Sequence, residues 1–389
     1  MFDGLMVCLW SAFGTSDSRG VNPFSHGGRE LSSRARPFSG RPAPGFQSHR
    51  RPPDATLPVM KAVWSLVQAG LRFSLQLGAL SLLCLASAQA ATPPGRPAPR
   101  PLYRDPPFDA PTDPVLCFNA EAGKWFMYYT ARRATATNAP GFAWVHGTSI
   151  GMAESADGGA TWAYRGTADI SYGKDRHPDD FTYWAPEVIW GGDRYHMFLS
   201  YVPGIFNDWN HPREIVHLTS RDGVRWDSLG KVELGSDRTI DPCVMKVPGG
   251  GWRMWYKDER AARSLCHADS PDLLSWQAKG SCVTNFNGEG PKVFHWKDHY
   301  WLIADCWSNG MRAWRSDDCL DWKLQTERLP GSHGDVVVSG GRAWWFYFGP
   351  GRRTAIQVVE LAVNDGKLIP GDPAQPTYID LKPEREREE

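Results

Sequence analysis

The stretch Ser155-Ala-Asp157-Gly-Gly-Ala-Thr-Trp162 is the first of four similar stretches that decide the expected fold. Each has a Ser-x-Asp followed, four or five residues after the aspartate, by a tryptophan, and the other three run from Ser220 to Trp226, from Ser270 to Trp276 and from Ser316 to Trp322. Their starts lie 65, 50 and 46 residues apart, and repeats near this length are typical of propellers, solenoids and arrays. Because Ser and Asp side chains bond the local backbone, each stretch predicts a hairpin turn.

Aromatic-rich segments lie between these turns, and each follows a short Gly- or Asp-rich stretch. They run over Trp125–Tyr129, Tyr195–Tyr201, Trp252–Tyr256, Tyr300–Ala304 and Ala343–Phe348. No long stretch of residues 91–389 has helical periodicity. Five such central strands, with outer hairpins, predict an all-β fold: a five-bladed β-propeller with four antiparallel strands per blade.

The first 90 residues have a different composition from the rest. Residues 1–59 are rich in Arg, Ser, Gly and Pro, which cannot build a core, so we expect either an over-called start or a disordered extension. Residues 60–90 contain a basic start, an apolar run over Leu77–Leu85 and Ala88-Gln-Ala90, the pattern of a secretory signal peptide. The alternative is an apolar anchor helix. The remainder divides into a Pro-rich linker (91–107), a catalytic propeller (108–370) and a C-terminal tail (371–389).

Composition excludes one class of partner and leaves others open. Residues 91–389 hold 34 Lys/Arg and 39 Asp/Glu without a basic block, so no nucleic acid is expected. A cleaved signal peptide implies a secreted or periplasmic protein with no stable membrane insertion, and the oligomeric state stays open. The six cysteines of this part could form disulfides or lie buried as thiols. Seventeen of the 19 tryptophans lie here, and exposed indole faces would suit stacking on sugars.

A carboxylate lies at or near a proline, in what we expect to be equivalent blade positions, in four of the five segments that precede the aromatic strands. These are Asp113-Pro114, Pro186-Glu187, Asp241-Pro242 and Glu289-Gly-Pro291, and the fifth segment has His333 instead. In a propeller these segments line the central channel. Several carboxylates at one axis have their pKa values pushed apart by desolvation and repulsion. One protonated and one ionised carboxyl is what acid/base cleavage of a glycosidic bond needs.

These segments resemble glycoside hydrolase family 43 and its relatives among the five-bladed propeller clans, over about Asp109 to Phe348. Trp184-Ala-Pro-Glu187 is the most specific part of the resemblance. The resemblance implies that Asp113 is a general base, that Asp241 tunes and orients the acid and that Glu289 is the general acid. It also implies that His333 approaches a metal ion or its water shell. A neighbouring family, such as the α-neoagarooligosaccharide hydrolases or a family 32-like group, remains possible.

The expected function is therefore an exported glycoside hydrolase acting on plant or algal poly- or oligosaccharides of the arabinofuranoside, xyloside or galactoside type. An inverting mechanism is expected, which requires the two carboxyl groups to lie roughly 6.5–9.5 Å apart. No cofactor is required, although a structural Ca²⁺ or a water cluster could occupy the channel. The alternatives are a non-catalytic carbohydrate-binding propeller and a retaining, family 32-like glycosidase.

Two insertions, residues 134–148 and 204–213, are expected to shape the substrate pocket. The candidate sugar contacts are Trp184, Trp209, His211 and Arg312, with core packing or a surface position as the alternative for each. His146 and His177 are weaker candidates for substrate or metal contacts. Glu187 is expected to form a salt bridge or hydrogen bonds beneath the site.

Overall fold

The computed structural model describes residues 95–174, 180–261, 264–284 and 287–383. The expected signal peptide and His177 lie outside these residues. Two short 3-10 turns, Ala143–Val145 and Trp307–Asn309, are the helical elements of the described part. No helix in these ranges is long and apolar enough to cross a membrane.

The strands of the described residues are numbered in chain order. They are β1 (Arg96–Pro97), β2 (Pro111–Asn119), β3 (Lys124–Ala131), β4 (Ile150–Ser155), β5 (Ala163–Thr167), β6 (Asp169–Ile170), β7 (Thr182–Trp190), β8 (Tyr195–Val202), β9 (Glu214–Ser220), β10 (Arg225–Lys231), β11 (Thr239–Lys246), β12 (Trp252–Asp258), β13 (Ser264–Ser270), β14 (Gln277–Thr284), β15 (Glu289–Trp296), β16 (His299–Asp305), β17 (Met311–Ser316), β18 (Lys323–Leu329), β19 (Gly334–Ser339), β20 (Arg342–Phe348), β21 (Ile356–Asn364), β22 (Lys367–Pro370) and β23 (Tyr378–Ile379).

These strands form a ring of five sheets, which confirms the predicted five-bladed β-propeller. The blades are β2–β5, β7–β10, β11–β14, β15–β18 and β19–β22, and neighbouring strands within each are antiparallel. The inner strands β2, β7, β11, β15 and β19 contact one another in that order, and β19 closes the ring against β2. The second blade departs from the predicted four strands, because β6 adds to its outer edge parallel to β10.

The four Ser-x-Asp stretches form the turns between the third and fourth strands of the first four blades. In each turn the serine hydroxyl donates a hydrogen bond to the aspartate two residues later, over 2.8 Å from Ser155 to Asp157 and 2.9 Å from Ser316 to Asp318. The aspartate in turn accepts backbone N–H groups, as Asp222 does from Val224 and Arg225. The repeat predicted from sequence is therefore the outer hairpin of a blade.

The second strand of each blade carries the core between the blades. Its aromatic side chains alternate between the two faces and pack against both neighbouring blades, and Trp255, Trp301, Trp344 and Trp345 are completely buried. Burial of each large aromatic removes roughly 150–250 Å² from water. Most of the tryptophan content of these strands therefore stabilises the fold and is not available to sugar.

Four inner strands share an irregularity at the same point. Asp113, Ala185, Asp241 and Gly290 each precede a proline and have positive φ values of 53°, 43°, 57° and 61°, and the register of each strand shifts there. Proline fits such a bulge because it has no N–H to donate. The structural counterpart of Asp113 and Asp241 in β15 is thus Gly290. The equivalence expected for Glu289 was wrong by one residue.

The segments at the two ends of the described chain lie against the first and last blades. β1 pairs with β23, and the backbone N–H of Leu381 bonds to the carbonyl oxygen of Gly158 in the first blade at 2.9 Å. Tyr103 pairs with Ile356 of β21. These contacts join the segments before β2 and after β22 beside the point where the ring closes.

Candidate active site

Three ionisable side chains meet where the bulged strands face the axis. His333 places Nδ1 3.4 Å from Asp113 Oδ1 and 3.8 Å from Asp241 Oδ2. The backbone N–H of Gly290 donates to Asp241 Oδ2 at 3.1 Å. Because Asp113, Asp241 and Gly290 hold the same position in three blades, the bulge turns each of them toward this point. The predicted convergence of Asp113, Asp241 and His333 is what the structure has.

Glu289 contacts the same histidine, although it lies one residue before the bulge position. Its Oε1 lies 3.7 Å from His333 Nε2, on the opposite side of the ring from Asp113. Its side chain is 25% exposed, compared with 6% for Asp113. A one-residue offset from the bulge position therefore gives a carboxyl that belongs to the cluster and is also accessible from outside.

A fourth carboxylate, Asp305 at the end of β16, was missed by sequence reasoning. Its Oδ2 lies 3.6 Å from His333 Nε2 and accepts the hydroxyl of Ser332 at 2.5 Å. Its Oδ1 accepts the backbone N–H of Trp307 at 2.7 Å. Asp305 pairs with Glu289 across β15 and β16, so an acidic residue opposite Glu289 in the hairpin was the signal available in the sequence.

The surroundings of Asp113 favour its ionised form. Burial alone would raise its pKa, but the Arg132 guanidinium, 3.9 Å away, and the neighbouring His333 outweigh it and hold the pKa of Asp113 below its usual range. The Thr112 hydroxyl adds a hydrogen bond at 2.9 Å. A carboxylate that stays ionised is able to accept a proton from water.

The surroundings of Asp241 favour the opposite state. Burial is the main cause that raises its pKa to about 7, with His333 opposing and the charges of Glu289 and Asp113 adding to the rise. For His333, burial would lower the pKa, but its contacts with Asp113, Asp241 and Asp305 outweigh burial and raise the pKa well above the usual value. The cluster thus combines an ionised carboxylate, a carboxyl that holds its proton near neutral pH and an imidazolium.

Asp241, Glu289 and His333 lie close enough together to be considered as ligands for a metal ion. Each offers an atom within 4.8 Å of the others, which is close enough to share an ion. However, both ring nitrogens of His333 face carboxylates, Asp113 and Asp241 on one side and Glu289 and Asp305 on the other. A metal-binding imidazole needs one nitrogen lone pair turned to the ion. The residues fit a charge-paired imidazolium better than a metal ligand.

A second ring of side chains lies one step further along the inner strands. It consists of the residues that follow the bulge prolines and their counterpart in β19: Val115, Glu187, Cys243, Lys292 and Asp335. Lys292 Nζ lies 2.9 Å from Glu187 and 2.8 Å from Asp335. Glu187 therefore has the salt bridge expected for it.

A small cavity of about 30 Å³ lies between the two rings, lined among others by Asp113, Asp241, Glu187, Lys292 and His333. It is polar and large enough for one or two water molecules.

A charged pair lies beside the cluster at the end of the second insertion. Arg213, the last residue of that insertion, is buried and places Nε 2.6 Å from Glu259. Burial raises the pKa of Glu259, with Arg213 opposing and the charge of Glu289 adding to the rise. Sequence reasoning included Arg213 in a pocket-shaping loop but did not assign it to the site.

The two insertions pack on each other over the first and second blades. Phe142 donates its backbone N–H to the carbonyl oxygen of Asn207 at 3.1 Å, and the Nε2 atoms of His146 and His211 lie 2.9 Å apart. Both imidazoles are buried, which lowers the pKa of each to about 4. These histidines are therefore neutral parts of a packed wall near neutral pH.

The remaining candidate sugar contacts are distributed differently. Trp184 is buried and donates its indole N–H to the carbonyl oxygen of Val145, so it belongs to the wall of the insertions. Trp209 is partly buried against Phe142, with ring centroids 5.0 Å apart. Arg312 lies on β17 beside Ala304, in the fourth blade. The structure thus groups Trp184, Trp209 and His211 together and places Arg312 elsewhere.

Comparison with solved structures shows where this fold occurs. A thermostable family 43 glycoside hydrolase has a TM-score of 0.53 at 17% identity, over 72% of this chain and 99% of the other. A calcium-free family 43 β-xylosidase/α-arabinofuranosidase from a compost microbial metagenome, in complex with xylotriose, has 0.52 at 16% identity, over 68% and 95%. A family 43 β-1,3-galactosidase with galactodeoxynojirimycin has 0.54 at 14% identity, over 69% and 94%.

These likenesses confirm the fold that the sequence resemblance implied, and at such low identity they concern the fold alone. No family model matches the chain, and no curated protein matches it by sequence.

Proposed function

We propose that this protein is a glycoside hydrolase that cleaves poly- or oligosaccharides by an inverting, two-carboxylate mechanism. The observation that carries the proposal is the placement of Asp113 and Glu289 on opposite nitrogens of His333, with Asp241 beside them at the axis. The fold shared with family 43 enzymes adds support. So does the ionised state of Asp113, which the base of such a reaction requires.

In the proposed reaction Asp113 removes a proton from a water molecule as that water attacks the anomeric carbon. Glu289 donates its proton to the leaving glycosidic oxygen, so that the products are a hemiacetal of inverted configuration and a free hydroxyl. Arg132 and His333 keep Asp113 ionised, as its contacts indicate. The larger exposure of Glu289 suits contact with a leaving group that enters from outside.

Inversion is proposed over retention because an imidazole ring lies between the two carboxyl groups, with 3.4 Å from Asp113 to Nδ1 and 3.7 Å from Glu289 to Nε2. Inverting enzymes need roughly 6.5–9.5 Å between their carboxyl groups to admit the attacking water, whereas retaining ones have roughly 5 Å.

Asp241 is proposed to hold the acid, Glu289, in place and to act on it through its own charge. It touches neither the water nor the leaving group in this scheme. Its oxygen lies within 4.8 Å of Glu289, and its pKa of about 7 means that it changes charge within the working range of many hydrolases.

A panel of aryl arabinofuranosides, xylosides, galactosides and fructosides tests the proposal, with the anomeric form of the first product followed by NMR. Inverted product is expected, and retained product would replace this mechanism by one with Asp113 as nucleophile. Sugar binding without turnover of any glycoside would instead identify a binding propeller.

Single variants then assign the roles. Asp113→Asn is expected to lose activity on every substrate. Glu289→Gln is expected to lose roughly 10²–10⁴-fold on unactivated disaccharides, and far less on dinitrophenyl glycosides, whose leaving group needs no proton. Asp193→Asn is a suitable control because Asp193 is a surface residue paired with Arg194. Equal losses for Glu289→Gln on both substrate types would contradict its role as the acid.

A further inference from the structure

Lys292 is a buried cation at the propeller axis that the proposed reaction does not use. Its Nζ lies 2.8 Å from Asp335 Oδ1, and 2.9 and 3.1 Å from the two oxygens of Glu187. All three side chains are nearly inaccessible to solvent, at 12% for Lys292 and 5% for each carboxylate. Burial of an isolated charge is costly, so each member of this trio depends on the others.

The same two carboxylates also join neighbouring blades through the backbone. Glu187, in the second blade, accepts the N–H of Val244 in the third blade at 3.1 Å. Asp335, in the fifth blade, accepts the N–H of Leu116 in the first blade at 2.7 Å. Lys292 itself lies in the fourth blade. One ammonium group is therefore at the centre of contacts that involve all five inner strands.

We propose that Lys292 is the built-in axial cation of this propeller, occupying with its ammonium group the place where Glu187 and Asp335 would otherwise hold a divalent metal ion. Two carboxylates on opposite inner strands offer oxygen atoms of the type that Ca²⁺ binds. The lysine side chain brings a positive charge to the same point as part of the polypeptide. The inner strands are consequently held together without a metal ion. This proposal does not depend on the proposed hydrolase activity.

The lysine also positions the proposed site. Gly290, two residues before Lys292, donates to Asp241, and Pro291 lies between them at the bulge. Glu187 follows the equivalent bulge in β7 by one residue. Fixing the second ring therefore fixes the bulges that turn Asp113 and Asp241 toward the axis, which makes Lys292 a positioning residue.

Metal content and thermal stability test the proposal without any substrate. Wild-type protein, dialysed against EDTA and then against metal-free buffer, is expected to hold no stoichiometric metal by elemental analysis. Its Tm should be the same in EDTA and in millimolar CaCl₂. A calcium ion retained at one per chain, or a Tm that falls in EDTA, would overturn the proposal.

The variant Lys292→Ala is expected to lose several degrees in Tm, and CaCl₂ should restore part of that loss. The triple variant E187Q/K292M/D335N, which removes all three charges, should not respond to CaCl₂. Lys231→Ala is the matched control, since Lys231 pairs at the surface with Glu214 at 3.7 Å. No calcium response in Lys292→Ala, or an equal response in the triple variant, would contradict the proposed place of the cation.

If Lys292→Ala does not fold in the cell, refolding from urea provides the same comparison. Recovery of folded protein in CaCl₂ but not in EDTA is the expected result, and failure in both buffers would overturn the proposal.

Discussion

Substitution of Gly290 by alanine separates the geometry of the site from the stability of the fold. Gly290 has φ +61°, and an added Cβ would lie 2.6 Å from both Cγ and Cδ2 of His333. Ordinary carbon contacts lie near 3.5–4.0 Å, so the imidazole would have to withdraw by roughly 1 Å. The glycine before Pro291 is therefore needed because the His333 ring packs on it.

Two effects of different size follow from Gly290→Ala. The left-handed backbone costs an alanine about 1–2 kcal/mol, which lowers Tm by a few degrees in a chain of this size. Displacement of His333 by roughly 1 Å from Asp113 and Glu289 is expected to cost about 10²-fold in kcat. Thermal unfolding and kcat on the best aryl glycoside of the panel measure the two separately.

Gly123 provides the matched control, because it has the same φ of +61° and an added Cβ there meets nothing within 4 Å. Gly123→Ala should show the same loss of Tm from the backbone with unchanged kcat. Equal kcat values for the two alanine variants would refute the reasoning, because catalysis would then not depend on the position of the His333 ring.

Three further predictions concern charge and thiols. In wild-type protein Asp241 holds its proton to about pH 7 when folded but ionises from its ordinary pKa of 3.8 when unfolded, so it contributes stability at low pH that is lost as the pH rises through 7. The Tm of Asp241→Asn relative to wild type should therefore increase from acid to mildly alkaline pH, and a constant difference would contradict the raised pKa. Asp305→Asn should lower kcat by about tenfold or more, equivalent to about 1.4 kcal/mol, because His333 loses one of its carboxylate neighbours; unchanged kcat and an unchanged pH profile would show that Asp305 serves folding alone. Because Cys243, Cys266, Cys282, Cys306 and Cys319 are free thiols among the described residues, reductant should leave Tm unchanged, and a Tm that falls in reductant would indicate disulfides. Burial, which raises the pKa of Cys306 and Cys319 to about 12, should make alkylation of the native protein slow.

The fold could be predicted because its outer turns are local. A Ser-x-Asp turn is stabilised by its own side chains, as the bond from Ser155 to Asp157 shows, so the period of the blades is visible in the chain itself. The cysteines, by contrast, left disulfides and buried thiols equally open, because pairing depends on distances that no local pattern records.

The candidate site was predicted in part, because only some of its residues belong to a local sequence pattern. The carboxylate-proline pattern selected Asp113 and Asp241, and the structure places both at bulges, where a proline tolerates the missing ladder bond. It placed Glu289 one residue out of register, because Gly290 takes the bulge and only the strand pairing reveals it. Arg132, which directly follows β3, contacts Asp113 within the first blade, whereas Asp305, at the end of β16, contacts His333 of the next blade. Neither contact is visible in the local sequence pattern.

The repeated axial positions also bear on symmetry and on redesign by repetition. The backbone repeats five times about the axis, yet the charges at the repeated positions differ from blade to blade. The bulge positions and their counterpart before β19 are acid, neutral, acid, neutral and basic (Asp113, Ala185, Asp241, Gly290 and His333), and the second ring is neutral, acid, neutral, basic and acid. Five identical blades would place five like charges, or five empty positions, around one axis. An idealised propeller with this sequence pattern could copy the turns and the aromatic strands freely, but its ten axial positions would have to remain unequal.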